Sequence, residues 1–233
     1  MEIKIWSDVR CPFCYIGKRK FEMALEEFKH KDNLKITWKS FQLDPNLKTD
    51  PSMSTLNYFV DTKGVSIDQA KQMLGGATQM GAEVGLRLDF ENSVLANSFN
   101  AHRLIQMANS KDLGNEIEEA LFKAHLEQGK NIDNHDELVN IGSSIGMDAG
   151  EIKRMLTSED FSYQVKQDEL EARNIGVRGV PFFVLNDKFA VSGAQSPEMF
   201  LQTLDKAWEE FSKSKSELEI INGESCSTDG NCD

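Results

Sequence analysis

A chain of 233 residues, 39% hydrophobic and 27% charged, can bury a core without covalent staples, since a chain of this size hides roughly three quarters of its unfolded surface. Its net charge of −12 repels phosphate backbones and excludes a general nucleic-acid partner. No apolar run approaches the roughly twenty residues that span a bilayer, and no basic amphipathic stretch is present to lie on a membrane surface.

The opening Met1-Glu2-Ile3-Lys4-Ile5-Trp6 lacks the basic, apolar and small-residue succession of a secretion signal, so a cytoplasmic protein is expected. Residues Ile3 to Trp6 read as a short strand. A turn through Ser7, Asp8 and Cys11 follows, and Pro12 suits the first turn of a helix. That helix carries Phe13, Ile16, Phe21, Ala24, Leu25 and Phe28 at helical spacing. A second strand runs from Leu34 to Phe41. Strand, helix, strand opens a parallel α/β unit.

Asp44-Pro45 then begins a polar linker reaching Ser54. Segments 55–62, 66–85, 97–109, 112–128, 134–144 and 148–156 all read as helices. Ser66, Asn97 and Asn134 signpost starts, and Gly85, Gly129 and Gly146 signpost ends. With no strand-like alternation here, an all-helical insertion is expected over 45–164. A helix over about 159–174 leads back to a hairpin, Pro181 to Leu185 and Phe189 to Val191, turning at Asn186-Asp187. Ser196-Pro197-Glu198 opens a last amphipathic helix with Phe200, Leu201, Leu204, Trp208 and Phe211. The composition of residues 213–233 is that of a flexible tail holding Cys226 and Cys232.

Chemistry concentrates at Cys11-Pro12-Phe13-Cys14. Two intervening residues at the first turn of a helix let the sulfurs meet as a disulfide. Cys11 stands at the helix N-terminus, where unpaired amides and the dipole favour its thiolate. Cys14, one turn further in, can attack a mixed disulfide made by Cys11. The rival reading is half of a zinc site, which needs two further ligands; His30, His102, His125 and His135 show no ligand spacing. The strand before the motif and the helix after it favour redox chemistry, with no metal. Asp8, three residues before Cys11, is either a candidate proton acceptor or a turn residue capping the helix. His102, alone on its helix, is left outside the site. Val180-Pro181 reads either as a strand-starting proline or as a cis-proline whose neighbour offers backbone groups to an extended peptide.

The segment from Asp8 to Lys18, Asp-Val-Arg-Cys-Pro-Phe-Cys-Tyr-Ile-Gly-Lys, resembles the active-site segment of the DsbA family, in particular its cytosolic FrnE-like branch. Gly176-Val177-Arg178-Gly179-Val180-Pro181-Phe182-Phe183 resembles that family's cis-proline segment. The resemblance implies an α/β thioredoxin fold, a central mixed sheet flanked by helices, with a large all-helical insertion. It divides the chain into a thioredoxin-like domain (1–44 and 165–212), the insertion (45–164) and the tail (213–233). It implies Cys11 as nucleophile, Cys14 as resolving thiol and Pro181 as the cis-proline facing them. Val180, with Pro12 and Phe13, then meets the substrate. Implied partners are protein thiols and disulfides, and a cellular thiol reductant such as glutathione or a thioredoxin system. No bound cofactor is implied.

The expected function is therefore a thiol–disulfide oxidoreductase or protein disulfide isomerase. Periplasmic DsbA enzymes carry histidine where this chain has Phe13, which neither donates a hydrogen bond nor carries charge, so a more reducing couple is expected. Cys226 and Cys232 are a candidate auxiliary redox pair, or incidental residues of a tail. Two alternatives share the fold: a glutathione-dependent isomerase or kappa-type glutathione transferase, which uses a serine near this position, and a non-catalytic chaperone or metal-binding module.

Overall fold

The structure, a computed structural model, describes residues 1–214. Strand β1 (Glu2–Ser7) lies at the centre of a four-stranded sheet with β2 (Lys35–Ser40), β5 (Phe182–Leu185) and β6 (Phe189–Ser192), in the order β2-β1-β5-β6. The β1–β2 pair is parallel, and the β1–β5 and β5–β6 pairs are antiparallel. Alternation along β1 explains how both faces are covered. Ile3 and Ile5 point to a core shared with α1 (Pro12–Glu27) and α9 (Pro197–Ser214), where Phe21, Phe183 and Phe200 pack ring against ring at 4.7–5.5 Å. Trp6 points the other way, onto Ala172 of α8 (Ser162–Asn174), and its Nε1 donates to the Asp168 carbonyl at 2.9 Å. The hairpin turns at Asn186 and Asp187, which both take positive φ (54° and 52°), as the tight turn between β5 and β6 requires.

Between β2 and β5 the chain is mostly helical: α2 (Thr55–Lys63), α3 (Ile67–Glu83), α4 (Phe99–Asn109), α5 (Gly114–Phe122), α6 (His135–Ser144) and α7 (Ala149–Leu156). The start at Ser66 is a full capping box with Gln69, and Asn134 accepts from the Glu137 amide at 3.1 Å. The region is not all-helical, however. Residues Asp50–Ser54 (β3) pair antiparallel with Val94–Leu95 (β4), inside the expected linker and between two expected helices. Five residues containing Pro51, paired with two, leave no alternation for sequence patterning to detect. The helix expected over 112–128 changes at Phe122 into a π-helical turn, Lys123–Glu127, and that expected from 159 starts only at Ser162, after Phe161 takes φ 63°.

Two contacts hold this region against α1. Tyr15 of α1 stacks on Phe122 of α5 with ring centroids 4.9 Å apart, and the buried Lys18 amino group lies 2.9 Å from a Glu119 carboxylate oxygen. Asp168 of α8 also gathers Lys39 (2.7 Å), the Ser40 amide (2.9 Å) and Gln106 of α4 (2.6 Å).

Helix α1 approaches the loop before β5 most closely at Gly17, where a Cβ would lie 2.9 Å from the Pro181 ring. Alanine is worth up to about 1 kcal/mol more than glycine in a helix, whereas overpacking typically costs ~1–3 kcal/mol. The proline ring has little freedom to give way, so overpacking wins. Gly17→Ala is expected to lower stability by about 1 kcal/mol or more, read as a lower denaturant midpoint at unchanged slope.

Candidate active site

Cys11 is the N-cap of α1 with extended backbone (φ −90°, ψ 113°), followed by Pro12 at the first helical position. Proline has no N–H to lose there and its fixed φ suits the first turn. The Cys11 amide donates to the Asp8 carbonyl at 2.9 Å, and the Cys14 amide to the Cys11 carbonyl at 3.0 Å, which curls the four-residue motif into one turn. Both cysteines are present as thiols, Cys11 5% exposed and Cys14 fully buried. Burial, followed by the adjacent Cys11 sulfur, pushes the Cys14 thiol well above its ordinary range, with the Ser7 hydroxyl acting in the opposite direction. Of the two, only Cys11 meets solvent.

The Val180–Pro181 peptide bond is cis, and the Cys11 Sγ donates to the Val180 carbonyl at 3.6 Å. Register brings these distant segments together. Trp6 pairs with Phe182, so the loop leaving β1 and the loop entering β5 lie side by side. Phe13 is 42% exposed beside Cys11. Leu43, 50% exposed, is tied to the same loop because its amide donates to Asp8 Oδ2 at 2.8 Å.

Asp8 is fully buried, and its other oxygen accepts from the Arg10 amide at 3.2 Å. The same oxygen lies 3.6 Å from His102 Nε2, an ion-pair distance beyond hydrogen-bond reach. Burial works to raise the Asp8 carboxyl, but His102, the Leu43 amide and Arg10 outweigh it and hold it below the ordinary range. Burial likewise opposes charge on His102, and Asp8 and Glu118 outweigh it, so the imidazole is raised. Glu118 of α5 is fully buried; its Oε1 accepts from the Ser7 hydroxyl at 2.6 Å, while Oε2 has no partner. Burial pushes its carboxyl up to about 7, against the pull of Ser7, His102 and Lys18.

The structure thus brings Cys11, Pro12, Phe13, Cys14, Val180, Pro181 and Asp8 into one place. It adds His102, which sequence reading set aside, and Glu118 and Ser7, which it did not single out. Glu118 shares the buried side of its helix with Leu121 and Phe122, and an acidic residue at an apolar position is the signal that marks it. Cys226 and Cys232 lie outside the described residues. Among the described residues, no group of three or more His, Cys, Asp or Glu side chains is placed to hold a metal ion, and no helix is long and apolar enough to cross a membrane.

A family model described as the DSBA-like thioredoxin domain matches residues 2–205. The chain is 33% identical to a probable DsbA oxidoreductase from Streptomyces coelicolor, with a TM-score of 0.88 over 100% of this chain and 98% of that one. Two more distant structures share the fold, each 15% identical. A 2-hydroxychromene-2-carboxylate isomerase aligns at a TM-score of 0.63, covering 94% of this chain and 100% of that one. The cytosolic disulfide reductase DsbM from Pseudomonas aeruginosa, solved with glutathione, aligns at 0.56 over 93% and 100%.

The Glu118 carboxyl binds its proton more tightly in the fold than in the unfolded chain, from an ordinary 4.5 up to about 7. Its contribution is therefore fully present below about pH 4.5 and is lost as pH rises toward 7. At roughly 1.4 kcal/mol per pKa unit this amounts to about 3 kcal/mol. Glu118→Gln, which keeps an acceptor for Ser7, is expected to gain stability relative to wild type between pH 4.5 and 8. Denaturation series at the two ends of that range measure it.

Proposed function

The chain belongs to the DSBA-like thioredoxin domain family, and from that membership we propose that it exchanges protein thiols and disulfides through Cys11 and Cys14. The observation that carries this reading is the position of the Cys11 sulfur. It caps a helix, meets solvent, and faces the Val180 carbonyl at 3.6 Å, with Cys14 one turn behind it. The Cys11 thiolate attacks a substrate disulfide, and the substrate's second sulfur leaves as a thiolate. Cys14 then attacks the Cys11 sulfur of the mixed disulfide, releasing the reduced substrate and leaving the Cys11–Cys14 disulfide. The Val180 backbone facing the Cys11 sulfur, with exposed Phe13 on α1 and exposed Leu43 tied to the Asp8 loop, suits a stretch of polypeptide as the group bound there.

Phe13 offers the Cys11 thiolate no charge and no hydrogen bond, which favours the disulfide form over the dithiol more than a histidine does. A reductase or isomerase in a cytosolic setting follows from that couple, with a thiol reductant such as glutathione or a thioredoxin system restoring the dithiol. The glutathione found with DsbM shows that a relative of this fold takes that molecule. A glutathione-dependent isomerase needs no second thiol, and the buried Cys14 directly behind Cys11 has no task in it.

Insulin reduction tests the reading. Cys11→Ser is expected to abolish activity, and Cys14→Ser to accumulate mixed disulfides visible as a mass increase equal to the substrate thiol. Full activity in Cys11→Ser would falsify it. Equilibration of the wild-type pair with glutathione is expected to give a potential nearer thioredoxin, about −270 mV, than DsbA, about −120 mV. Phe13→His is expected to move it toward the DsbA value.

A further inference from the structure

Cys14 must give up a proton each time it closes the disulfide, and it does so at a site with no exposed surface. A protein group placed to receive that proton lowers the barrier to the attack. Asp8 is the nearest acid in sequence, but its carboxylate is committed. Oδ2 holds the Leu43 amide, Oδ1 holds the Arg10 amide, and His102 stands 3.6 Å away. Protonating Asp8 would leave two backbone donors and the neighbouring buried imidazole without their anion, which is costly in a low-dielectric interior.

We infer that Glu118, delivered by α5 from outside the four-stranded sheet, receives the Cys14 proton through the Ser7 hydroxyl as the Cys11–Cys14 disulfide closes. This rests on the oxidoreductase reading above. Ser7 is the last residue of β1 and is 1% exposed. Its hydroxyl acts on the Cys14 sulfur and donates to Glu118 Oε1 at 2.6 Å, so one hydroxyl joins thiol to carboxylate. The second Glu118 oxygen, buried and without a partner, is unusual because buried polar atoms are nearly always bonded.

The step balances. The Cys14 S–H proton passes to Ser7 Oγ while the Ser7 hydroxyl proton passes to Glu118. The Cys14 sulfur forms a bond to Cys11 Sγ, the bond from Cys11 to the substrate sulfur breaks, and its electron pair leaves with the substrate thiolate. Reduction of the pair runs the same path backward. Three charged groups face Glu118. Lys18 of α1 and His102 of α4 favour its ionised form, while Asp8 in the loop after β1 disfavours it. The balance leaves its carboxyl near 7, where a group accepts and returns a proton with comparable ease.

Two stages of single turnover with a peptide disulfide test this separately. In a Cys14→Ser background, formation of the mixed disulfide reports Cys11 alone, and if none forms the oxidoreductase reading itself fails. With Cys14 present, release of the reduced peptide reports the proposed step. In wild type its rate is expected to rise with pH through about 7. Glu118→Gln is expected to slow release on the order of 10²-fold at pH 7, to remove that rise, and to approach wild type only at alkaline pH, where Cys14 ionises unaided. Ser7→Ala should shift release and its pH profile in the same direction. Neither variant should alter the first stage. If Glu118→Gln keeps the wild-type rate and pH rise, or slows both stages alike, the inference is overturned while the assignment of Cys11 stands.

Discussion

The site depends first on one register, the antiparallel pairing of β1 with β5. Trp6 opposite Phe182 and Ile5 opposite Phe183 leave Val180 and Pro181 just beyond the strand end, level with the turn that carries Asp8 to Cys11. Alternation pins this register. Ile5 and Phe183 both enter the core under α1 and α9, and Trp6 and Phe182 both face α8. A slip of one residue would turn every one of these side chains to the wrong face, so the contact between Cys11 and Val180 inherits its accuracy from the packing of the sheet. The close approach of α1 at Gly17 to the Pro181 ring then sets how far the helix N-terminus stands from the loop.

The helices between β2 and β5 do more than enlarge the core. Their own cluster, built on Leu104, Ile105, Ile117, Leu121, Leu138 and Ile152, is continuous with that of the sheet. A second cluster places Leu56, Leu74, Leu86, Leu88 and Phe90 against Cys11, Cys14 and Tyr15. Apolar walls of this kind keep water from Cys14 and make each nearby charge count for more. Helices α4 and α5 supply the two ionisable groups, His102 and Glu118, that the sheet itself does not provide at this depth.

Much of this was legible in the sequence where a local rule sufficed. Proline at a helix start, serine with glutamine three residues on, and Asn-Asp between two apolar runs each name their structure by a short-range mechanism. The dithiol and the proline opposite it were legible because both sit in recognisable segments. The β3–β4 ladder was not, since two or five residues carry no period. Nor was Glu118 or His102. Each is an ordinary helix residue in one dimension and acquires a role only when α4 and α5 dock against the turn after β1. Sequence alone offered Asp8 two readings, cap or acid, and its bonds to the Arg10 and Leu43 amides favour the first.

Asp8 and Glu118 show how the same functional group is given opposite character within one site. Both carboxyls are fully buried, so desolvation pushes both upward. Asp8 meets two backbone amides and an imidazole, and is held below its ordinary range as a fixed negative charge. Glu118 meets one hydroxyl, and more distant cations leave it near 7. Environments that separate the affinities of paired acids also separate their tasks. The Asp8 anion favours the charged form of His102 and fixes the turn that bears Cys11, and it does this best by keeping its own charge. Glu118 has the converse properties, an unpaired oxygen and an affinity near neutrality, which suit a proton that moves.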